Sequence, residues 1–517
     1  MRSISVYCYL YVASYTRVVN QEFKSKIPDN TLWTVQQLKT AGFEAYIVGG
    51  CVRDVLLGRA PSDWDVTTNA TPEQIIEVFE KTDRRVVYEN NFGTVAIVNK
   101  DLEHDDPSYA IEITPYRTEG TYTDNRRPDE VTFSTDIHED LKRRDFTINA
   151  MAYDPTSDTL IDDFDGQSDL QERIIRTVGD ANERFTEDAL RIMRAVRFSA
   201  QLGFVWDSAT VSAIRDHAER LTNISAERIR DELIKIIDAP FAMDGVISLH
   251  KLGLLAHILP ELEEGIDCDQ GGAHMYDVWI HNVKSLEHAT NKNYPLHIKI
   301  AALLHDVGKP RTRRAANGRG TKEWTFYGHE VVGAKMTRDI MKRLKFSKDM
   351  IEQVEKLVRY HMFFSDPDAI TLSAVRRMVK NVGQDLIWDL MDLRTCDRIG
   401  TGRPKEKPYR LRKYHAMIEE VMRDPISVGM LNINGDIMVG EMGLHPGPKM
   451  GWVLHALLEE VLEDPTLNTR EYLEKRTREL WELTDDEVKK LGQAGKEKKD
   501  EEEFREIKKL HRKHKVD

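Results

Sequence analysis

Asp63 and Asp65 stand one residue apart in APSDWDVTT, shortly after the paired glycines of VGGCVRD (Val48–Asp54). In a strand, side chains two positions apart share a face, so these carboxylates could hold one Mg²⁺ between them while Trp64 points into the core. Carboxylate-held metal ions stabilise the attacking and leaving oxygens of an in-line displacement at phosphorus. Gly49 and Gly50 would let backbone N–H groups approach a triphosphate closely, and Arg53 would add positive charge. A third carboxylate usually comes from a neighbouring strand. Glu112, in the alternating run Ala-Ile-Glu-Ile-Thr, is the candidate. One Asp-x-Asp alone is ordinarily a solvated turn. The glycine-arginine prefix and a second stretch, LKRRDFTINAMAYD (Leu141–Asp154), argue otherwise. There Arg143, Arg144, Asp145 and Asn149 surround a short apolar segment, where polar groups are expensive unless they meet a ligand or one another.

A second group follows the order H…HD…H…H…D: His281, His305-Asp306, His329, His361 and Asp397. Neutral imidazole and carboxylate suit Mn, Fe, Co, Ni or Zn, and an adjacent His-Asp pair can set the Asp as a bridge between two ions. Single histidines on helices are mostly packed or solvated; six such residues in this order are not.

These residues need scaffolds of two kinds. From about Glu44 to Tyr153 short aliphatic runs (AYIVGG, TVAIVN, YAIEIT, EVTFS) alternate with polar or helical segments, a mixed α/β texture. After Asp169 strand signals fade. DALRIMRAVRFSAQL and SAERIRDELIKIID carry apolar residues at three-and-four spacing and read as amphipathic helices. A boundary is expected near Gly265–His274, a helical region over 276–397, a linker at GTGRPKEKP and a further block over 409–478.

The 517-residue chain is too long for one core. It is 40% apolar and 31% charged, with no run near the roughly 18–20 apolar residues of a membrane span. MRSISVYCYLYVASYTRV has only a weak signal-peptide look and is expected to be a dispensable extension. Four scattered cysteines without a CxxC suit a reducing cytoplasm and argue against a disulfide framework. A net charge of −13 argues against indiscriminate nucleic-acid binding but leaves room for a local basic groove.

GGxVRD…DxD, RRDFTINA and ERFTEDALRIMRAVRF (Glu183–Phe198) together resemble the bacterial-type (class II) tRNA nucleotidyltransferases, the CCA-adding enzymes, whose relatives include bacterial poly(A) polymerases. The likeness runs from about Leu32 to Arg478. It implies an α+β fold, with a polymerase-β-like nucleotidyltransferase head followed by all-helical neck, body, HD and tail domains. The expected divisions are an extension (1–29), head (30–155), neck (156–225), body (226–270), HD domain (271–400), tRNA-binding tail (401–478) and a charged, solvated or disordered end (479–517). The implied reaction adds CMP, CMP and AMP from CTP and ATP to the 3′ end of tRNA.

Asp188, Arg191, Arg194 and Arg197 recur every three residues and are expected along one stripe of a helix. An ionised Asp only accepts hydrogen bonds and an Arg only donates them. Cytosine and adenine each set an exocyclic amine beside an unprotonated ring nitrogen; uracil and guanine reverse that polarity. Asp188 with Arg191 would match the first two bases and leave buried groups unpaired against the others. The resemblance implies this role for both, and triphosphate contacts for Arg194 and Arg197.

RTEGTYTDNRRPDE (Arg117–Glu130) reads as a mobile loop. In the family a loop here helps move the site from adding C to adding A, which marks Asp124, Arg126 and Arg127. DDFDGQSDL (Asp162–Leu170) departs from relatives that carry a Gly-Gly pair, with only Gly166 present. The six-ligand set resembles the HD-superfamily metal phosphohydrolases, which in some CCA-adding enzymes act on phosphorylated ends. In the block Leu431–Leu473, Pro446-Gly447-Pro448 is expected to start a helix at Lys449, facing tRNA or simply packing. Three alternatives remain: an A-adding enzyme or poly(A) polymerase, an HD hydrolase with a decayed head, and a non-catalytic RNA-binding protein.

Overall fold

A computed structural model describes residues 23–88, 93–119, 131–271, 274–315, 324–362 and 370–491. The loop residues Asp124, Arg126 and Arg127, most of the N-terminal extension and the charged end from 492 lie outside them. The chain divides into two compact units, Met1–Ile258 and Leu259–Asp517.

The first unit opens with α1 (Asp29–Thr40), β1 (Ala45–Val48), α2 (Gly50–Leu56), β2 (Trp64–Thr68) and α3 (Pro72–Phe79). Strands β3 (Arg85–Tyr88), β4 (Val95–Val98) and β5 (Ala110–Pro115) follow, then a separate ribbon of β6 (Arg117–Glu119) and β7 (Val131–Phe133). Helix α4 (Ile137–Lys142), β8 (Ala152–Asp154) and β9 (Thr159–Ile161) complete the sheet region. The seven-stranded sheet runs β3-β4-β5-β2-β1-β8-β9. Only β2 and β5 pair in parallel, and their register sets Asp65 beside Glu112. Period-two alternation does the rest: Trp64, Val66, Ile111 and Ile113 are buried, which turns Asp65 and Glu112 to the opposite face. Each aliphatic or aromatic side chain buried this way contributes about 1.5–3 kcal/mol, which anchors the register of the carboxylates.

Past the sheet the unit is almost wholly helical: α5 (Gly166–Glu172), α6 (Ala181–Glu187), α7 (Leu190–Leu202), α8 (Ser208–Asp216), α9 (Ala226–Ile237), α10 (Ala242–Lys251) and α11 (Leu255–Ile258). One short parallel pairing of 174–175 with 205–206 interrupts it, a strand contact too brief for periodicity to reveal. Helix α7 packs on α9 and α10, and its Ile192, Met193, Ala195 and Val196 are fully buried. It ends at Gly203 in the left-handed conformation, φ 72°.

In the DDFDGQSDL segment, where relatives carry the Gly-Gly pair, Asp165 adopts φ 57°, the left-handed region a glycine would enter without strain. Asp162 Oδ1 and Oδ2 accept from the Gly166 and Gln167 amides at 2.7 and 2.9 Å, holding the turn. Gly166 itself is hemmed in, since a Cβ there would come within 2.4 Å of the Thr147 carbonyl oxygen.

The second unit is a helical assembly: α12 (Pro260–Glu263), α13 (Val278–Asn291), α14 (Leu296–Leu304), α15 (Lys309–Thr312), α16 (His329–Arg343), α17 (Lys348–Tyr360), α18 (Leu372–Val382), α19 (Ile387–Gly400), α20 (Tyr409–Val421), α21 (Gly435–Gly440), α22 (Pro448–Glu463) and α23 (Arg470–Trp481). Helix α13 packs on α14 and α19, and α16 packs on α17. Helix α22 begins at Pro448, a position where the missing N–H costs nothing. No helix among the described residues is long and apolar enough to cross a membrane.

Gly166→Ala is expected to destabilise the first unit by about 1–3 kcal/mol through the Thr147 contact. A lowered urea midpoint of its unfolding transition would show this; an unchanged midpoint would mean the turn relaxes freely.

Candidate active site and metal centre

Strand β1 ends at Val48, and Gly49 turns the chain into α2 with φ 85°. A Cβ at Gly49 would lie 3.2 Å from Arg144 Nη1 and 3.9 Å from Asp65 Oδ2, so the glycine keeps backbone close to both. Asp63 immediately precedes β2 instead of lying on it, exposed, while Trp64 is 2% exposed and Asp65 is half-buried. Burial first, then the charges of Asp63 and Glu112, push the Asp65 carboxyl up to about 7 against the pull of Arg144. Three carboxylates thus share more negative charge than their surroundings neutralise, and a divalent cation fits that deficit.

The arginines opposite are held, not loose. Asp140, wholly buried on α4, accepts from Arg143 Nη2 at 2.6 Å and Arg144 Nη2 at 3.0 Å. Asp145 accepts from Arg194 Nε at 2.6 Å and Asn149 Nδ2 at 3.4 Å, and Asn149 Oδ1 accepts from Arg53 Nη1 at 2.8 Å. Burial pushes the Asp145 carboxyl up, but the charges of Arg194 and Arg191 with these hydrogen bonds outweigh it and bring it down to about 2. The Phe198 ring lies 5.2, 5.4 and 4.4 Å from the guanidiniums of Arg53, Arg194 and Arg197. Arg197 also donates to Glu232 Oε1 at 3.0 Å. Burial, then repulsion from Arg194, lowers Arg197 to about 10.

The expected four-residue stripe is corrected at its first member. Asp188 lies in extended conformation between α6 and α7, and α7 starts at Leu190. A spacing of three continues through Asp188, yet its side chain accepts from the Leu190 amide at 3.0 Å, the local bonding by which Asp favours helix starts over interiors. Arg228 Nη2 on α9 donates to Asp188 Oδ2 at 2.7 Å. Arg191 donates to the Arg184 carbonyl at 3.3 Å and the Arg143 carbonyl at 3.1 Å, and pairs with Glu187.

One cleft of about 970 Å³ joins these groups: Gly49, Gly50, Arg53, Asp63, Asp65, Arg144, Asp145, Asn149, Asp188, Arg191, Arg194 and Arg197 all line it. Arginines outnumber aspartates in its wall, which gives a basic cleft in an acidic chain.

In the second unit, His281, His305, Asp306, His329 and His361 are buried and close around Asp306. His281 Nε2 lies 3.1 Å from Asp306 Oδ2 and 3.4 Å from Asp397 Oδ1; His329 and His361 Nε2 lie 3.3 and 3.5 Å from Asp306 Oδ1. Backbone carbonyls of Ala302, Phe326 and Val358 sit 2.9, 2.7 and 2.7 Å from Nδ1 of His305, His329 and His361. A carbonyl only accepts, so Nδ1 carries the proton and Nε2 turns its lone pair to the centre. Lone pairs and carboxylate oxygens facing one another suit a cation between them. Two candidate ligand sets result, His281-His305-Asp306 and Asp306-His329-His361, sharing Asp306. Asp397 stands by the first set.

Residues 45–176 match the family described as Poly A polymerase head domain, 203–266 the probable RNA and SrmB-binding site of polymerase A, and 273–394 the HD domain. The chain is 46% identical over 230 residues to a CCA-adding enzyme of Geobacillus kaustophilus, a match covering 44% of this chain and 54% of that protein. It thus spans about half the length of the first curated relatives it matches. A crystal structure of the Bacillus stearothermophilus CCA-adding enzyme in complex with CTP superimposes with a TM-score of 0.65 at 28% identity, covering 88% of this chain and 98% of that one. A CCA-adding enzyme of Leuconostoc mesenteroides is 33% identical over 445 residues, 86% of this chain and 94% of that protein.

The chain belongs to the CCA-adding enzyme family.

Within that family frame, several residues beside the expected ones take part in the sites. Asp140 is signalled by its i+3 and i+4 spacing to Arg143 and Arg144. Arg228 and Glu232 carry no local signal, because their partners come from other parts of the chain; Phe198 follows Arg194 and Arg197 on one helix, and only its contact with Arg53 is long-range. Lys309 stands three residues after Asp306, its Nζ 2.5 Å from Asp306 Oδ2, while its donation to Gln270 Oε1 at 2.7 Å reaches a distant segment.

Because burial and the charges of Asp63 and Glu112 push the Asp65 carboxyl up to about 7, protons compete with a cation for it. Mg²⁺ affinity at the head is expected to rise roughly tenfold from about pH 6 to pH 8 and flatten above, and Asp65→Asn to remove that slope. Mg²⁺ titrations of the full chain at stepped pH measure it; a flat profile in the unmutated chain would contradict the assignment.

Proposed function

We propose that this chain adds CMP, CMP and AMP from CTP and ATP to the 3′ end of tRNA, in the cytoplasm, without a nucleic-acid template and with release of pyrophosphate. One observation carries this reading: Asp63 and Asp65 share a single cleft with Asp188 and Arg191. Asp63, Asp65 and Glu112 would hold Mg²⁺, which when bound neutralises triphosphate charge and acidifies the terminal 3′-hydroxyl. Gly49 and Gly50 leave backbone close to the phosphates, and Arg53, Arg144 and Arg194 supply fixed charge there.

Base choice follows from donors and acceptors already held in place. A carboxylate has about four acceptor sites. Arg228 and the Leu190 amide occupy the helix-facing side of Asp188. What remains accepts from an exocyclic amine, while Arg191, pinned by Glu187 and two backbone carbonyls, donates to the adjacent ring nitrogen. Uracil and guanine would set donor against donor and acceptor against acceptor. Since the held groups need not reorganise on binding, the mismatch is felt in full.

A second reading concerns the Asp306 cluster, whose converging Nε2 atoms support a dinuclear site for Mn, Fe, Co, Ni or Zn with phosphohydrolase chemistry.

With tRNA lacking CCA, Mg²⁺ and single labelled nucleotides, incorporation of C and A but not U or G is expected. Asp65→Ala should lower it by about 10²–10³-fold or more. Asp188→Ala should relax discrimination against UTP and GTP by about 10–10²-fold, the worth of an unmatched buried polar group. Incorporation only of A would instead support an A-adding enzyme or poly(A) polymerase, and tRNA binding without incorporation would overturn the enzymatic reading. For the second centre, metal analysis should find His361→Ala short of one ion and Asp306→Ala short of both; unchanged content in both variants would refute the shared bridge.

A further inference from the structure

The seven-stranded sheet gives the head cleft two sides. In the order β5-β2-β1, Gly49 and Gly50 follow the end of β1, Glu112 lies on β5, and Asp65 stands between them on β2. Attacking and leaving oxygens stand on opposite sides of phosphorus in an in-line displacement. With the triphosphate at the glycines, the 3′-hydroxyl of the acceptor RNA has to arrive from the β5 side.

Strand β5 leads there into β6, and Arg117, the first residue of β6, lines the cleft. The register of the ribbon sets Phe133 of β7 directly opposite Arg117. Directly opposed residues of an antiparallel pair share a face, with Cβ atoms about 4.5–5.5 Å apart, so Phe133 stands beside Arg117 at the margin of the cleft. Phe133 is 44% exposed, yet its ring edge is seated. A Cβ on Gly93 would come within 3.1 and 3.2 Å of its Cε1 and Cζ, and within 2.9 Å of Pro72 Cγ. Glycine at 93, with φ 86°, leaves the room that the ring edge takes. An open aromatic face beside an arginine is the pairing that holds single-stranded RNA, with a base on the ring and a phosphate on the guanidinium.

We propose that the 3′-terminal base of the tRNA acceptor strand stacks on Phe133 while its phosphate pairs with Arg117, a station for the growing end apart from the Asp188–Arg191 reader. The station rests on the nucleotidyl-transfer reading. A ring without polar atoms suits this place for a chemical reason. As CMP, CMP and AMP are added, the base at the growing end changes, and a site that matched donors to acceptors would reject some of its own intermediates. Every base has a π-face, so stacking accepts them all. The incoming base is read and the outgoing one is only held.

The test uses the full chain and its Phe133→Leu, Phe133→Tyr and Arg117→Gln variants. Leucine keeps an apolar contact with Gly93 and Pro72 but has no ring face; tyrosine keeps both. CMP incorporation on tRNA lacking CCA and AMP incorporation on tRNA ending in CC are followed with tRNA and nucleotide varied separately. Phe133→Leu is expected to lower kcat/KM for tRNA by about five- to a hundredfold with either end, at unchanged KM for CTP and ATP, and Phe133→Tyr to recover it. An abasic 3′-terminal nucleotide should weaken tRNA binding to the unmutated chain, measured by fluorescence anisotropy, and cost the Phe133→Leu variant nothing further. Arg117→Gln should flatten the slope of log affinity against log salt by about 0.7. An unchanged kcat/KM for tRNA in Phe133→Leu would overturn the proposal, as would a raised KM for nucleotide of the same size or an abasic penalty equal in chain and variant. If the unmutated chain incorporates nothing, the transfer reading falls, and the anisotropy comparison, which needs no turnover, still decides the station.

Discussion

The Asp145 carboxylate is the constraint on which the cleft of the first unit depends. It lies in the loop that leads from α4 toward β8, yet it binds Arg194 on α7, and through Asn149 it reaches Arg53 on α2. Three stretches distant in sequence are thereby locked around one buried anion. Losing one partner of such a pair leaves an uncompensated buried charge, typically worth about 3–5 kcal/mol. The separation between the acidic trio at the sheet and the Asp188–Arg191 corner is therefore set by a charge network as much as by apolar packing. Arg197 with Glu232, and Arg228 with Asp188, extend that network to α9.

This arrangement explains how a chain of net charge −13 can offer a basic cleft. Local fields are set by nearby groups, and the remaining acidic surface is screened within roughly 10 Å at ordinary salt. It also explains how the cleft keeps its arginines without collapse. Asp140, Asp145, Asp188 and Glu232 neutralise them from behind, and the Phe198 ring lies against three of them. Preorganised donors of this kind act without reorganising at the moment of reaction.

The two centres solve opposite electrostatic problems. At the head, carboxylates gather until Asp65 is pushed up to about 7, a deficit that a hard divalent cation would balance. Around Asp306, backbone carbonyls fix the tautomers of three imidazoles so that neutral lone pairs face one carboxylate. That donor set suits softer transition ions.

Much of this was legible in the linear sequence wherever the physics is local. Alternation around Trp64 put Asp65 on the face opposite the core, although Asp63, expected on the same strand, falls just before it; apolar spacing located α7 and α9, and the order of histidines and aspartates drew attention to the residues that gather at Asp306. The sequence also pointed to Asp188 and Arg191 as partners but mistook their setting. A spacing of three cannot tell a helical residue from one whose side chain starts the helix. Tertiary structure alone decided that Asp188 is held by Arg228, that Arg53 joins Arg194 and Arg197 at the Phe198 ring, and that Lys309 reaches Gln270. The reason is range: periodicity and capping act over a few residues, whereas these contacts join separate elements. Which partner a buried charge finds is settled only when the chain has packed.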